Sequence, residues 1–522
     1  MSGSVAIIYG SVVTPVDPRT WKALPRCLMA VGSTGNIDWM LDHVEENKLA
    51  EALSQKGYVT GQVVYLKDGE FIIPGFIDTH THAAQFPNLG KGGQYELLDW
   101  LQNVTFPKEA EFADLDFAKE AYYDVVRRSL DCGTTTSCYY ATLHLDATKI
   151  LADATSRLGQ RAFIGKCNMD RKGQSPEYYV EESAEKSLED TSSLISYIRS
   201  LPPISSHASI GTAPEPLVQP ILTPRFAISC TSECLNGIRD LADRHYRQRR
   251  HPNEPRIRIQ THISENRGEV DYTLQLYPDA HSYAHVYDMH GLLGDTTVLA
   301  HAIHLTDDEI RLIKERNAGI SHCPTSNFNL RSGVAPVGRY LDEGLKVGLG
   351  TDVSGGYSTS MLNAIQNASI ASKVISMKIP PPSVPQEIPH PEAAVTTKQL
   401  VSPPVTPPSE LAESNARFAN RQLPIQTLFY LATLGGANVC SLSEKIGSFS
   451  PGKSFDALVV NVLDERGAIG VWGKEAKLDG DLEAKRRKLE ENLERFLFCG
   501  DDRNIQKVYV QGCLVGGRAF GK

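Results

Sequence analysis

A chain of 522 residues, 41% hydrophobic and 22% charged, is long enough for one large domain or two to three ordinary ones. Its 62 acidic residues outweigh 53 basic ones, a net charge of -9, which argues against a nucleic-acid or anionic-membrane surface and leaves an uncharged small molecule as partner. Ten cysteines without a CxxC pair, no secretory leader, no 18-residue apolar run and no C-terminal targeting signal read as a reduced cytoplasmic protein with free thiols.

Residues 1–71 read as short strands and turns, with an acidic helical stretch near Glu45 to Gln55. From residue 72 eight short apolar strands follow: "IIPGFIDTHTH", "GTTTSCYY", "RAFIGKCN", "LVQPILTP", "RIRIQTH", "TVLAHAI", "GISHCP" and "KVGLGTD". Amphipathic stretches such as "DFAKEAYYDVVRRSLDC" and "TDDEIRLIKERN" lie between them. That alternation predicts an α/β fold, a (β/α)8 TIM barrel over 72–440, in preference to a doubly wound sheet. Between Pro380 and Pro408 there are ten prolines and few apolar residues, a composition that predicts a disordered, protease-sensitive insertion at 380–408. From 441 to 522 the chain returns to strands, which pair with 1–71 into a small β-sandwich domain. Its run "EAKRRKLEENLERFLF" places Leu489, Leu493 and Phe496 at the spacing of an amphipathic surface helix.

In such a barrel the reactive groups sit at the C-terminal ends of the strands. The first strand ends in His80 and His82, two apart and therefore on one face, with Asp78 below them. The fifth ends in His262, sharing a face with Arg258 and Gln260, and Glu265 follows three residues later. The sixth ends in His301 and the eighth in Asp352; Gly348 and Gly350, on the face of Asp352, would leave room in the lumen beneath it. Each residue alone has a plain explanation, a buried histidine satisfied by backbone or an aspartate capping a helix. Together, at the same end of four strands, three imidazoles and a carboxylate suit zinc with water as a further ligand.

This pattern of HxH, H-x-x-E, a further His and Gly-Thr-Asp resembles the mononuclear branch of the amidohydrolase superfamily. "PGFIDTHTHAAQFPNLG", "LTPRFAISC", "QTHISEN", "LAHAIHL", "SHCPTSN", "GLGTDVSGG", "ATLGGANV" and "GSFSPGKSFDALVVN" are similar together to the guanine deaminase family, over roughly residues 72–515. The resemblance implies one Zn2+ per subunit on His80, His82, His262 and Asp352, lowering the pKa of a bound water towards about 7. It implies Asp352 as acceptor of the water proton, Glu265 as the acid that protonates purine N3 and then serves the departing amine, and His301 as the group that orients the nucleophile. Gln85 and Arg225 would hydrogen-bond the purine carbonyl edge and Phe226 would pack on the ring, with His82, His262 and Asp352 also lining the substrate. It further implies a homodimer.

No lysine is set for a second, carbamate-bridged metal; Lys166 is the nearest. The phosphate-loop pattern "GSFSPGKS" at Gly447 to Ser454 stands before a strand instead of a helix, so it reads as a turn. The H-x-E and P-C-x-x-C signature of the small zinc deaminases is absent. Two rivals stay open. One is a related hydrolase of another aminated or chlorinated heterocycle, which would differ at Gln85, Arg225 and Phe226. The other is a noncatalytic assembly protein that would have lost metal ligands.

Overall fold

A computed structural model describes residues 6–59, 61, 63–202, 216–248, 256–377, 417–464 and 477–520. The proline-rich insertion at 380–408 lies outside the described residues.

Two sheets organise the chain. The first is mixed and joins both ends of the sequence: β1 (Ala6–Pro15), β2 (Trp21–Val31), β3 (Ile37–Leu41), β4 (Val63–Tyr65) and β5 (Glu70–Pro74) with three strands from the other end. Within it β5 pairs antiparallel with Ala457–Asn461, so Ile72 and Ile73 belong here and not to the barrel. The chain crosses into the barrel at Gly75, where a Cβ would stand 2.2 Å from Thr135 Oγ1.

The second sheet runs β6 (Phe76–His82), β7 (Thr134–Tyr140), β8 (Arg161–Gly165) extended by β9 (Cys167–Asn168), β10 (Val218–Pro224), β11 (Arg258–Ile263), β12 (Thr297–His301), β13 (Gly319–His322) and β14 (Lys346–Leu349). All its pairings are parallel. This is the nearly closed cylinder of a (β/α)8 barrel, and its eight staves are the eight segments picked out by their apolar character. Threonine, valine, isoleucine and aromatic residues fill them because branched side chains pack well on a pleated surface buried on both faces.

The seam between β6 and β14 closes by other means than a regular ladder. Asp352 N donates to His80 O at 2.9 Å, His82 N to Val353 O at 3.1 Å, and Thr79 Oγ1 to Leu349 O at 2.9 Å. The expectation that Gly348 and Gly350 leave room in the lumen is corrected. A Cβ at Gly350 would lie 2.9 Å from His80 Cβ and 2.7 Å from Ser321 Oγ, and one at Gly348 would lie 2.9 Å from Thr79 Cγ2. These glycines let strands and side chains close in.

The helices between strands follow their patterns. Leu115–Asp131 is capped by Asp114, and Asp307–Glu315 opens with a reciprocal Thr306–Glu309 capping box. The first sheet is completed by β15 (Ala457–Asn461), β16 (Ile505–Val510) and β17 (Cys513–Gly516). Helix Leu482–Cys499 buries Leu489, Leu493, Phe496 and Leu497. Its N-cap Asp481 accepts from Ala484 N at 2.8 Å. Asp481→Ala is expected to cost about 1 kcal/mol, read as a lower denaturation midpoint with the fold otherwise unchanged. Gly447 to Ser454 forms a turn before β15, with Lys453 Nζ on Ser448 Oγ at 2.7 Å, so no phosphate cradle exists there. Among the described residues, no helix is long and apolar enough to cross a membrane.

Candidate active site

His80, His82, His262, Glu265, His301 and Asp352 arrive at one mouth. His80 Nε2 stands 3.2 Å and His82 Nε2 3.5 Å from Asp352 Oδ1, and His82 Nε2 is 3.1 Å from His262 Nε2. His301 Nε2 lies 3.3 Å from Glu265 Oε2 and 3.6 Å from Asp352 Oδ2. Backbone placement aims two of them: His301 and Asp352 hold left-handed φ of 71° and 46°, and Ser264 beside Glu265 one of 48°. Non-glycine residues take that region at a cost of order 1 kcal/mol or more, which the surrounding packing must offset.

The electrostatics divide the groups. Burial, reinforced by neighbouring imidazoles, holds His82 and His262 well below the ordinary histidine pKa; burial also lowers His80. These shifts favour the neutral imidazole, the form that ligates metal. Burial opposes ionisation of Asp352, but His80, His301 and His82 keep its carboxyl well below the usual range. Burial pushes Glu265 up to about 7, with His301 pulling the other way. His301 itself is raised: burial lowers it, and Glu265 and Asp352 more than compensate. The site thus holds one firm carboxylate and one carboxyl poised near neutrality, a separation of the kind that suits one to act as base and the other to carry a proton.

The residues present fit a metal. Two overlapping sets, His80–His82–Asp352 and His80–His262–His301, bring ligand atoms within 4.8 Å of one another. Both ring nitrogens of His80, Nδ1 of His82 and Nε2 of His301 are buried without a hydrogen-bond partner. Tetrahedral ligands about 2.1 Å from an ion stand roughly 3.4 Å apart, close to the separations above. His262 Nδ1 donates to Arg225 O at 2.5 Å, which leaves its Nε2 lone pair facing His82. Asp78 turns away from the site. It accepts from Thr351 N at 3.0 Å and His80 N at 3.2 Å, tying the segment before Asp352 to β6. Lys166 is buried in an ion pair with Glu181 and contributes nothing here.

Above these groups Gln85, Arg225, Phe226, Glu265, His301 and Leu330 line one cleft, with Trp100 and Leu101 on its wall. Arg225 directly follows β10 and is buried; Phe226 stands edge-on to His262 at 6.4 Å between ring centroids. Arg225 is no surface ion pair: its Nη1 donates to Glu109 Oε2 at 2.6 Å.

Sequence reasoning missed three residues that shape the site. Asn327 Oδ1 accepts from His301 Nδ1 at 2.9 Å, Ser332 Oγ donates to Glu265 Oε1 at 2.9 Å, and Glu109 is fully buried against Arg225. Asn327 and Ser332 sit in "SHCPTSNFNLRSG", where nothing in the spacing assigns them a partner; Glu109, in "PKEAEFADLD", looks like one more surface acid. Asn327→Ala is expected to lower turnover about 10-fold with metal content retained, since partners that orient a site histidine carry effects of that size. Atomic absorption beside steady-state kinetics checks both halves.

The amidohydrolase family model matches residues 71–383 and 409–515. The chain is 40% identical over 484 residues to a probable guanine deaminase of Schizosaccharomyces pombe, covering 92% of this chain and 78% of the relative. It is 36% identical over 506 residues to the guanine deaminase of Homo sapiens, covering 97% and 95%. The guanine deaminase of C. acetobutylicum, solved with guanine bound in its active site, superposes with a TM-score of 0.75 at 32% identity over 98% of this chain and 99% of that one.

Proposed function

The chain belongs to the amidohydrolase family, and on that footing we propose that it hydrolyses guanine to xanthine and ammonia, with one zinc ion per subunit on His80, His82, His262 and Asp352. The observation that carries the reading is the convergence of partnerless imidazole nitrogens, a firm carboxylate and a near-neutral carboxyl beneath a cleft walled by Arg225, Gln85 and Phe226. Bound zinc would supply a water acidic enough to attack at neutral pH.

The chain's own groups do the rest. Guanine bears its amine on C2, and C2 accepts a nucleophile once N3 is protonated. Glu265, raised by burial to about 7, delivers that proton. Asp352, held ionised, takes a proton from the attacking water. His301, fixed by Asn327, faces both carboxyls through Nε2 and so steadies the oxygen as C2 becomes tetrahedral. The proton taken from the water passes by way of Glu265 to the amine, which leaves as ammonia, and Glu265 recovers its own proton from the C2 hydroxyl as the xanthine carbonyl forms. Arg225 and Gln85 offer donors to the C6 carbonyl, while Phe226 and Leu330 pack against the ring.

Ammonia release over a panel of purines, pterins and triazines, with zinc measured on the same sample, tests the reading. Guanine turnover that follows zinc content supports it; activity on a triazine without activity on guanine overturns it. The ten free cysteines fit a reducing compartment such as the cytoplasm. The homodimer implied by the family likeness is checked by light scattering.

A further inference from the structure

Glu109 has no atom among those that line the cleft, yet it is fully buried and accepts three hydrogen bonds. Its Oε1 takes Gln85 Nε2 at 2.9 Å; its Oε2 takes Arg225 Nη1 and the Tyr179 hydroxyl, each at 2.6 Å. Gln85 is held at its other end as well, because its Oε1 accepts from Ser354 N at 3.0 Å, two residues beyond Asp352. A carboxylate only accepts and a backbone N–H only donates, so these partners fix which way the Gln85 amide points. Its second N–H is left for the cleft, alongside the remaining N–H groups of Arg225.

We propose that Glu109 is the positioning residue for substrate choice: it holds Gln85 and Arg225 as a pair of donors that select a purine carrying a carbonyl at C6. The proposal rests on the guanine reading above and adds a residue that does not touch substrate. A carboxylate serves where an amide would fail. With glutamine at this position, an NH2 in place of Oε1 would face the Gln85 donor. Turning Gln85 over to meet it would set the Gln85 NH2 against Ser354 N–H. An NH2 in place of Oε2 would face Arg225. Each arrangement displaces one member of the pair. A buried ion pair that merely held the segment around Glu109 in shape would weaken every substrate alike.

The test compares guanine with 2-aminopurine, which keeps the reacting C2 amine and lacks the C6 oxygen. For Glu109→Gln, KM for guanine is expected to rise about 10- to 30-fold with kcat changed less than about threefold. The kcat/KM for 2-aminopurine should change less than about threefold, so the preference for guanine shrinks by most of an order of magnitude. Equal losses on both purines, or an unchanged guanine KM, overturn the proposal. A wild-type protein inactive on guanine overturns the underlying reading and this one with it, a result distinct from either. Because Glu109→Gln leaves the Arg225 charge buried and unpaired, it risks unfolding. Tyr179→Phe keeps both charges and removes one hydrogen bond from Oε2. It should raise the guanine KM about three- to fivefold, again sparing 2-aminopurine, and a uniform loss in that variant also overturns the proposal.

Discussion

Glu265→Gln is expected to lower guanine turnover by a factor of about 10² or more while metal content stays that of the wild type. Glutamine keeps the size of the side chain and still offers Ser332 Oγ an acceptor, so the cleft should hold its shape. What it loses is the exchangeable proton. Burial pushes Glu265 up to about 7, so near neutral pH both its forms are populated and a proton moves either way at small cost. No such route exists through an amide. Glu265 is in neither candidate ligand set, which is why the metal should remain. Near-normal turnover in Glu265→Gln would end its assignment as the proton carrier.

The second large effect concerns Arg225. A guanidinium has only donors, so it suits the C6 carbonyl of guanine and opposes the C6 amine of adenine. A hydrogen bond to a buried charge is worth roughly 1.5–3 kcal/mol, and a donor left unpaired adds to the difference. The wild-type protein should therefore favour guanine over adenine by at least about two orders of magnitude in kcat/KM. Arg225→Met should lose about 10²-fold on guanine through ground-state and transition-state binding together, with metal content unchanged. Because Glu109 then loses its cation, the melting temperature must be read on the same sample to separate lost recognition from lost folding. Comparable turnover of adenine by the wild type, or full guanine activity in Arg225→Met, would remove Arg225 from substrate recognition.

The eight barrel strands and the residues at their ends are legible in the sequence because they rest on local rules. A run of branched and aromatic residues makes a strand, and residues two apart share its face; "FIDTHTH" states both at once. The joining of the two chain ends into one small β domain could be read from strands before and after the barrel; that they form a single mixed sheet could not. The precise crossing at Gly75 could not, since it depends on Thr135 standing where a Cβ would go. The glycines of "GLGTD" misled for a related reason. A missing side chain marks where something comes close, and only the packed barrel shows that His80, Ser321 and Thr79 fill the space.

The site divides the same way. Sequence by itself determined which residue types reach the mouth of the barrel, because the strands that end in His80, His82, His262 and His301, and the strand that Asp352 follows by three residues, all finish at one end. Only the tertiary structure decided their states. Burial and mutual proximity favour the neutral form of the His82 and His262 imidazoles, hold the Asp352 carboxyl well below the usual range and lift Glu265 to about 7. Only the tertiary structure, too, found Glu109, Asn327 and Ser332, which lie 116, 26 and 67 positions from Arg225, His301 and Glu265, the groups they hold. The physical reason is range: backbone preference and side-chain alternation act over a few residues and can be read along the chain. Desolvation, charge coupling and hydrogen-bond partnership act through space, between segments that meet only when the barrel closes.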